Sequence, residues 1–479
     1  MPTRRKLITA TSMLALATPL AGLRARLSQN PASRPSPYGE IHPVQDLATG
    51  LPLLKLPQGF SYQSFGWTGD LMADGTPTPA RHDGMAVISA TSNELVLMRN
   101  HEIGLGSCIG NSTTPCYDNY VVGTTGMGGG TTALRFEGGR FTDAQTTLAG
   151  TFFNCAGGAT PWGTWLTCEE IILRTSRLGA KDHGYVFEVP APDLGRASAV
   201  PIIGMGLMQH EAAAVDPRTG AVYLTEDNVD TSGFYRYLPH DSRPRPGALE
   251  AGGKLAMLRA EPHDIGSLRS GDKLRVDWVE IADPDADPER LVTSTVGLTG
   301  VQGRGRSGPY LQGQAAGGMA FNRAEGCWYA DGVVYFTETA GGTTGSGAIW
   351  AYDTTNAILT LLFTSPGRDV ADSPDNVTVS PRGGLLVCED SFGGFLSSGE
   401  FRGNRMLGID RAGEAFTFCE NHVVIEQPIP GRPAIAAADY RTQEFAGATF
   451  DPAGGYLFVN IQSPGITFAI SGPWHLGSL

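Results

Sequence analysis

The chain repeats one pattern of apolar and polar positions. A short apolar run with the spacing of a β-strand is followed by a turn and by a second apolar run that ends on polar residues. "QHEAAAVDPRTGAVYLTEDN", residues 209–228, shows it clearly, because "DPRTG" suits a hairpin turn. Six second runs of this kind occur: "ELVLMRNHE", "GTWLTCEE", "GAVYLTEDN", "GVVYFTETAGG", "GLLVCED" and "GYLFVNIQ". Carboxylates are depleted from strands, so their recurrence at these strand ends indicates a shared role.

Six repeated hairpins predict an all-β fold, a six-bladed β-propeller with elaborated loops and a metal cluster on the central axis. Six units over about 400 residues give about 65 residues per blade, more than the about 40–45 of a WD40 blade. The alternatives are a pair of β-sandwiches and a solenoid. The recurrence of polar clusters at matching places favours the propeller, where one end of every blade faces the axis.

In such a propeller the polar ends of the strands would converge. The first strands would contribute Asp83, His210, Glu211, Glu325 and Asp375, and the second strands His101, Glu102, Cys168, Glu169, Glu226, Asp227, Glu338, Glu389 and Asp390. Burying so many like charges would cost about several kcal/mol for each charge. Bound cations are therefore the better explanation for the convergence of these carboxylates. Hard oxygen ligands suit Ca²⁺ or Mg²⁺, whereas a thiolate at Cys168 suits iron or zinc.

Some of these residues also have a simpler interpretation. Glu170, Asp227 and Asp390 could be solvated loop charges, since exposed acids are the norm. His101 and His210 could be hydrogen-bonded core residues. A buried Cys168 could be a small apolar side chain. Glu211 and Glu325 are harder to explain in that way, because each leads an apolar strand.

Composition narrows the choice of function. The 479-residue chain has a net charge of −13 and is 41% hydrophobic, with 64 glycines and 32 prolines that fit many turns. The acidic balance argues against a nucleic-acid partner. Neither a G-x-S-x-G elbow nor an H-E-x-x-H motif is present, so the usual serine-hydrolase and metalloprotease sites are not predicted.

The first residues are typical of an export signal. Residues 1–30 carry Arg4 and Arg5 before a modest apolar run, which indicates a twin-arginine signal peptide, with an ordinary secretion signal as the alternative. Residues 31–45 predict a linker, and residues 46–479 a single catalytic propeller. We expect a periplasmic or extracellular monomer without stable membrane insertion, whose partner during export is the twin-arginine machinery.

Several motifs resemble the PhoX family of calcium-dependent alkaline phosphatases. They are "RNHE", "TPWGTWLTCEE", "QHEAAAVDPRTGAVYLTEDN", "GAIWAYD" and "SPDNVTVSPRGGLLVCED", and the similarity runs from about residue 80 to residue 470. The resemblance implies a six-bladed propeller with Fe³⁺ and Ca²⁺ on its axis. It implies that Cys168 binds iron, that Glu211 and Glu325 bind metal, and that Arg323 contacts the phosphate of the ester.

The same resemblance makes Asn100 of "RNHE" a second candidate catalytic residue. The carboxylates that would share the calcium and iron sites are Glu102, Glu169, Glu338, Glu389 and Asp390. The expected function is an exported phosphomonoesterase that releases inorganic phosphate from a small phosphate ester. Two alternatives are another propeller hydrolase, such as a lactonase or a phosphodiesterase, and a non-enzymatic propeller stabilised by calcium.

Overall fold

The fold is a closed ring of six β-sheet blades. The computed structural model describes residues 34–479 apart from 177–178, 262–264, 294–300, 392, 396–398, 400 and 411. The predicted signal peptide at residues 1–30 lies outside the described residues. The innermost strands contact one another in blade order, and the sixth contacts the first, so the ring closes around one axis. The prediction of an all-β six-bladed propeller is therefore confirmed.

Each blade is an antiparallel meander, with strands ordered outward from the axis. Blade 1 comprises His82–Ala90, Glu94–His101, Gly129–Glu137 and Arg140–Thr151. Blade 2 comprises Asn154–Ala159, Thr164–Glu169 and Val186–Pro190. Blade 3 comprises His210–Val215, Val222–Glu226, Phe234–Pro239 and Gly253–Ala260. Blade 4 comprises Ala324–Ala330, Val333–Glu338, Ala348–Asp353 and Ile358–Thr364. Blade 5 comprises Pro374–Val379, Leu385–Glu389, Arg405–Ile409 and Ala415–Asn421. Blade 6 comprises Phe445–Phe450, Tyr456–Ile461 and Ile466–Ser471, with Ser61–Phe65 as its outer strand.

Strands from outside the meanders tie the ring together. Ser61–Phe65 pairs with Ile466–Ser471, so the two ends of the propeller sequence close one blade. Leu54–Pro57 and Ile41–Val44 extend blade 5, which puts a strand inside the predicted 31–45 linker. Lys273–Glu280 pairs with the outer strands of blades 3 and 4.

Shorter elements decorate the loops. Among the described residues the one α-helix is Gly308–Ala315, capped by the Ser307 side chain, which accepts from the Tyr310 N–H. The remaining strands are Leu105–Gly106, Gly126–Met127, Leu173–Arg174, Arg290–Thr293, Val301–Arg304, Gly394–Phe395, Phe401–Arg402, Val424–Ile425 and Ala438–Asp439. Single 3₁₀ turns are Pro192–Leu194, Ile203–Met205, Leu249–Ala251, Ile265–Ser267 and Trp474–Leu476. In the described part of the chain no helix has both the length and the apolar character that crossing a membrane requires.

A β-bulge interrupts the innermost strand of every blade near its beginning. In blade 1 the pairing shifts between His82 and Met85, and in blade 4 it shifts between Ala324 and Cys327, with the same one-residue shift in the other four blades. A bulge places two residues opposite one, bends the strand and redirects a side chain. The bulges therefore decide which side chains reach the axis.

Polar side chains join neighbouring blades at these bulges. The Asn100 amide of blade 1 donates to the Cys155 and Ala156 carbonyls of blade 2, at 3.0 and 2.7 Å. The Thr225 hydroxyl of blade 3 donates to the Glu325 carbonyl of blade 4. A carbonyl that the bulge removes from the strand ladder thus finds a donor in the preceding blade.

Tyr62, on the outer strand of blade 6, holds the N-terminal strands that extend blade 5. Its hydroxyl accepts from the Leu53 and Leu54 N–H groups at 2.7 and 3.2 Å and donates to the Val44 carbonyl at 2.8 Å. We expect Tyr62→Phe to lower the free energy of unfolding by about 2 kcal/mol, because it leaves buried polar groups without partners. Denaturant unfolding would measure this, with Tyr440→Phe as the control. An equal effect of both changes would contradict the prediction.

Candidate metal centre

One cavity of about 340 Å³ opens at the end of the axis where the bulges lie. Its lining contains eight carboxylates, one cysteine, two arginines and four neutral polar residues. They are Asp83, Glu102, Glu170, Glu211, Glu325, Asp375, Asp390 and Glu444; Cys155; Arg81 and Arg323; and Ser391, Thr442, Gln443 and Gln462. Among the described residues, every lining side chain other than the thiol of Cys155 is polar or charged.

Five lining residues occupy the same position of their blades, the first residue of the bulge. They are Asp83, Cys155, Glu211, Glu325 and Asp375, in blades 1 to 5. In blade 6 this position is Gly447, with φ +62°, and a Cβ there would lie 2.5 Å from the Met85 nitrogen. Blade 6 instead contributes Glu444, which precedes its first strand.

A second set of lining residues follows the second strand of a blade. Glu102, Glu170 and Asp390 come directly after His101, Glu169 and Glu389, the last residues of these strands. Successive side chains of a strand point to opposite sides. The last residue therefore points away from the cavity, and the next one points into it.

The acidic side chains fall into three overlapping groups, each compact enough to hold a metal ion. Within each group the ligand atoms lie within 4.8 Å of one another. The groups are Cys155, Glu170 and Glu211; Glu211, Glu325 and Asp375; and Asp375, Asp390 and Glu444. Glu211 and Asp375 each belong to two groups, so they could bridge neighbouring ions.

The carboxylates of this cluster are crowded and buried, which disfavours their charged forms unless cations are bound. Burial raises the pKa of Glu211 well above its usual range, and the charges of Asp375 and Glu170 raise it further. Burial and the neighbouring Glu102 raise the pKa of Asp83 to about 7, and burial and Asp390 raise that of Asp375 to about 8. Two arginines cannot balance eight carboxylates in so small a space. The donor set therefore fits several bound metal ions.

Arg323 is held at the wall of the cavity by two carboxylates. Its Nε and Nη2 atoms donate to Asp227 at 3.2 to 3.4 Å, and Nη2 lies 2.6 Å from Oε1 of Glu325. Burial alone would lower the pKa of Arg323, but Glu325 and Asp227 raise it above its usual range. A fixed guanidinium at this place could bind a phosphate oxygen.

The structure places Cys168 and Asn100 outside the cavity. Both lie on second strands, at the residue opposite the bulge of their own blade. Cys168 is fully buried in an apolar cluster with Val186 and Met208. Asn100 uses its amide for the inter-blade bonds, and its Oδ1 accepts from Trp165 at 2.8 Å. Asn100 therefore connects two blades, and Cys168 belongs to the apolar core.

Glu169, Glu338 and Glu389 also lie outside the cavity lining, and they share another geometry. Each ends a second strand and accepts from the N–H group two residues before the first strand of its blade, at 2.8 to 3.0 Å. Glu169 also accepts from His183 at 2.7 Å, Glu338 from Trp350, and Glu389 from Arg405. Strand alternation explains why these carboxylates face the loops.

Of the other residues that the sequence predicted to converge on the axis, some line the cavity and some lie outside it. Glu211, Glu325, Glu102, Asp390, Asp83 and Asp375 line the cavity as the sequence suggested. His101 and His210 are buried and bond to the carbonyls of Ala80 and Gly206, at 2.9 and 2.8 Å. Glu226 accepts from the Tyr235 hydroxyl at 2.6 Å.

Sequence reasoning missed Cys155 and Glu444, noted Arg81 only as one of the few arginines near the acidic strand ends, and treated Glu170 only as a possible loop charge. One signal could have found Cys155. In blades 1 to 5 the bulge residue that faces the cavity precedes Gly, Ala or Asn, as in "HDG", "NCA", "HEA", "AEG" and "PDN". In blade 4 the glycine is required where the strands meet, since a Cβ on Gly326 would lie 2.6 Å from the Asp375 carbonyl oxygen.

The sequence matches the model of a known protein family. The family model described as alkaline phosphatase PhoX matches residues 36–146 and 125–465. The chain belongs to this family. Membership makes it a metal-dependent phosphoric ester hydrolase, as the resemblance implied, and sets aside the non-enzymatic alternative. No curated protein matches the chain by sequence.

One of two similar solved structures supports the fold. PhoX of Pseudomonas fluorescens, solved with vanadate as a transition-state analogue, is 18% identical, with a TM-score of 0.60 over 90% of this chain and 98% of that one. A gluconolactonase from Xanthomonas campestris is 13% identical, covering 92% and 99%, but its TM-score of 0.37 is too low to carry an argument.

The two cysteines near the site give a matched test. We expect Cys155→Ser to lose bound metal, because the substitution removes the one thiol of the cavity. Cys168→Ser should keep its metal and lose stability by about 1–3 kcal/mol, because it buries a hydroxyl in an apolar cluster. Elemental analysis and thermal unfolding of both variants would check this. Metal loss in Cys168→Ser alone would contradict the placement.

Proposed function

We propose that this protein is an exported phosphomonoesterase that releases inorganic phosphate from phosphate esters with an axial cluster of iron and calcium. The observation that carries the proposal is the convergence of eight carboxylates, one thiol and two arginines in a single solvent-open cavity. An anionic substrate would enter such a cavity only if cations reversed its field.

The chemistry of the donors supports two kinds of metal. Cys155, Glu170 and Glu211 form the only group with a sulfur ligand among the described residues, which suits iron. Asp375, Asp390 and Glu444 offer oxygen alone, which suits calcium. When bound, such cations neutralise phosphate charge and act as Lewis acids on the phosphoryl group.

The protein's own residues would bind and orient the ester. Arg323 would donate to a non-bridging phosphate oxygen, with its direction fixed by Asp227 and Glu325. No serine or cysteine in the lining is paired with a histidine base among the described residues, so the nucleophile is proposed to come from solvent.

The lining also indicates the substrate class. Ser391, Thr442 and Gln443 form a neutral polar part of the wall, and the described residues place no apolar side chain in the lining that could select a leaving group. Recognition would therefore rest on the phosphate, and we propose a monoesterase of broad specificity for the alcohol. A lactonase would not need the two arginines, and a diester has one negative charge less for them to bind.

The activity can be tested with p-nitrophenyl phosphate at alkaline pH. We expect turnover that falls at least about tenfold in chelator and returns with calcium, because the bound cations counter the charge of the substrate. Bis(p-nitrophenyl) phosphate and a gluconolactone serve as control substrates and should react much more slowly. Absence of turnover in protein shown to hold its metals would overturn the proposal, as would faster hydrolysis of a control.

Export by the twin-arginine pathway is proposed from the sequence alone. This pathway carries folded proteins, which suits a site loaded with metal before it crosses the membrane. We expect cell fractionation to find the wild-type protein in the periplasm or medium. A double Arg4→Lys, Arg5→Lys variant should stay in the cytoplasm, and normal export of that variant would contradict the twin-arginine assignment.

A further inference from the structure

The residue before the innermost strand has an unusual backbone in four blades. Arg81, Phe153, Arg323 and Ser373 have φ angles of +55°, +45°, +58° and +54°, in blades 1, 2, 4 and 5. Left-handed φ is uncommon for residues with large side chains and carries a conformational cost. Its recurrence at one position shows that these four residues are equivalent by the pseudo-symmetry of the ring, each two residues before a bulge residue that lines the cavity.

Only two of these positions carry arginine, and their blades face each other. Arg81 belongs to blade 1 and Arg323 to blade 4, three blades apart in a ring of six. Both side chains line the same cavity. Two guanidinium groups therefore approach the axial acidic cluster from opposite sides.

The two arginines differ in how much of their hydrogen-bonding capacity is used. Arg323 has two carboxylate partners, and its side chain is 32% exposed. Within the described part of the chain, Arg81 donates to one side chain only, from Nη2 to Oε2 of Glu102 at 2.9 Å, and is 44% exposed. A guanidinium has five N–H donors, so most of those on Arg81 remain for a ligand.

We propose that Arg81 is a second phosphate-binding residue, which grips the substrate from the side of the cavity opposite Arg323. This inference rests on the proposed function, because it assigns a further contact to the same substrate. With an arginine on each side, the phosphate is held in one orientation above the acidic cluster. The site thus selects a compact dianion, and the inorganic phosphate product binds to the same pair.

A purely structural role for Arg81 is the competing explanation. In that case Arg81 would only neutralise Glu102, which is also held by Gln462, whose Nε2 donates to Oε2 of Glu102 at 2.8 Å. Because Glu102 keeps this bond without Arg81, the geometry around it should survive the loss of the guanidinium. Metal content and thermal stability separate the two roles.

Two substitutions test the contact. Arg81→Asn removes the guanidinium and tolerates the left-handed backbone, and Arg81→Lys keeps the charge but not the planar fork. Arg243→Asn and Arg243→Lys are matched controls, since Arg243 is exposed and pairs with Asp241 far along the chain from the cavity lining. For metal-loaded protein, kcat and KM for p-nitrophenyl phosphate and the Kd of inorganic phosphate by calorimetry would be measured.

We expect Arg81→Asn to lower kcat/KM by about 10- to 100-fold and to weaken phosphate binding by about tenfold, with metal content and melting temperature unchanged. Arg81→Lys should recover only part of the loss. Wild-type kcat/KM and phosphate affinity in Arg81→Asn would overturn the inference, as would a loss of metal in parallel with activity. If the wild-type protein lacks turnover but Arg81→Asn still weakens phosphate binding, the proposed function fails and the inference stands.

Discussion

The bulge at the start of each innermost strand is the constraint on which both the fold and the site depend. The extra residue turns one side chain toward the axis, and it leaves a carbonyl outside the strand ladder. Asn100 and Thr225 satisfy such carbonyls, at Cys155 and Glu325, from the preceding blade. The contacts that hold neighbouring blades together therefore also fix the backbone of the residues that line the cavity.

This arrangement concentrates charge before any cation is bound. Strands from five blades deliver their bulge residues to one place whether or not their charges are balanced there. Burial and mutual repulsion then raise the carboxyl pKa values, as they do for Glu211 and Glu325. Cations that bind the folded state alone would stabilise it by mass action, so metal binding and folding are thermodynamically linked in this protein.

The sequence predicted the blades well and the site only in part, for a physical reason. Hairpins are local, so alternation and turn residues were enough to find six of them and to bring Glu211 and Glu325 to the axis. The place of Arg323 at the cavity was implied by the family resemblance. Strand register decides which of two adjacent residues faces the axis. For this reason Glu170 and Asp390 line the cavity, whereas their neighbours Glu169 and Glu389 do not. Cys155 was missed because "NCAGGA" lacks β-branched residues and reads poorly as a strand.

Departures from six-fold symmetry make the metal-ligand atoms differ from one side of the cavity to the other. Blade 2 carries a cysteine at the bulge where blades 1, 3, 4 and 5 carry acids, so sulfur is confined to one side of the axis. Blade 6 has Gly447 at the bulge, where the close approach of blade 1 leaves no room for a Cβ, and its acid Glu444 enters from the preceding loop. A ring of similar blades thus offers different metal ligands at different places: sulfur and oxygen between blades 2 and 3, and oxygen alone between blades 5 and 6. Because Glu211 from blade 3 and Asp375 from blade 5 each belong to two neighbouring groups, a substitution of either residue would affect two of the three candidate metal positions.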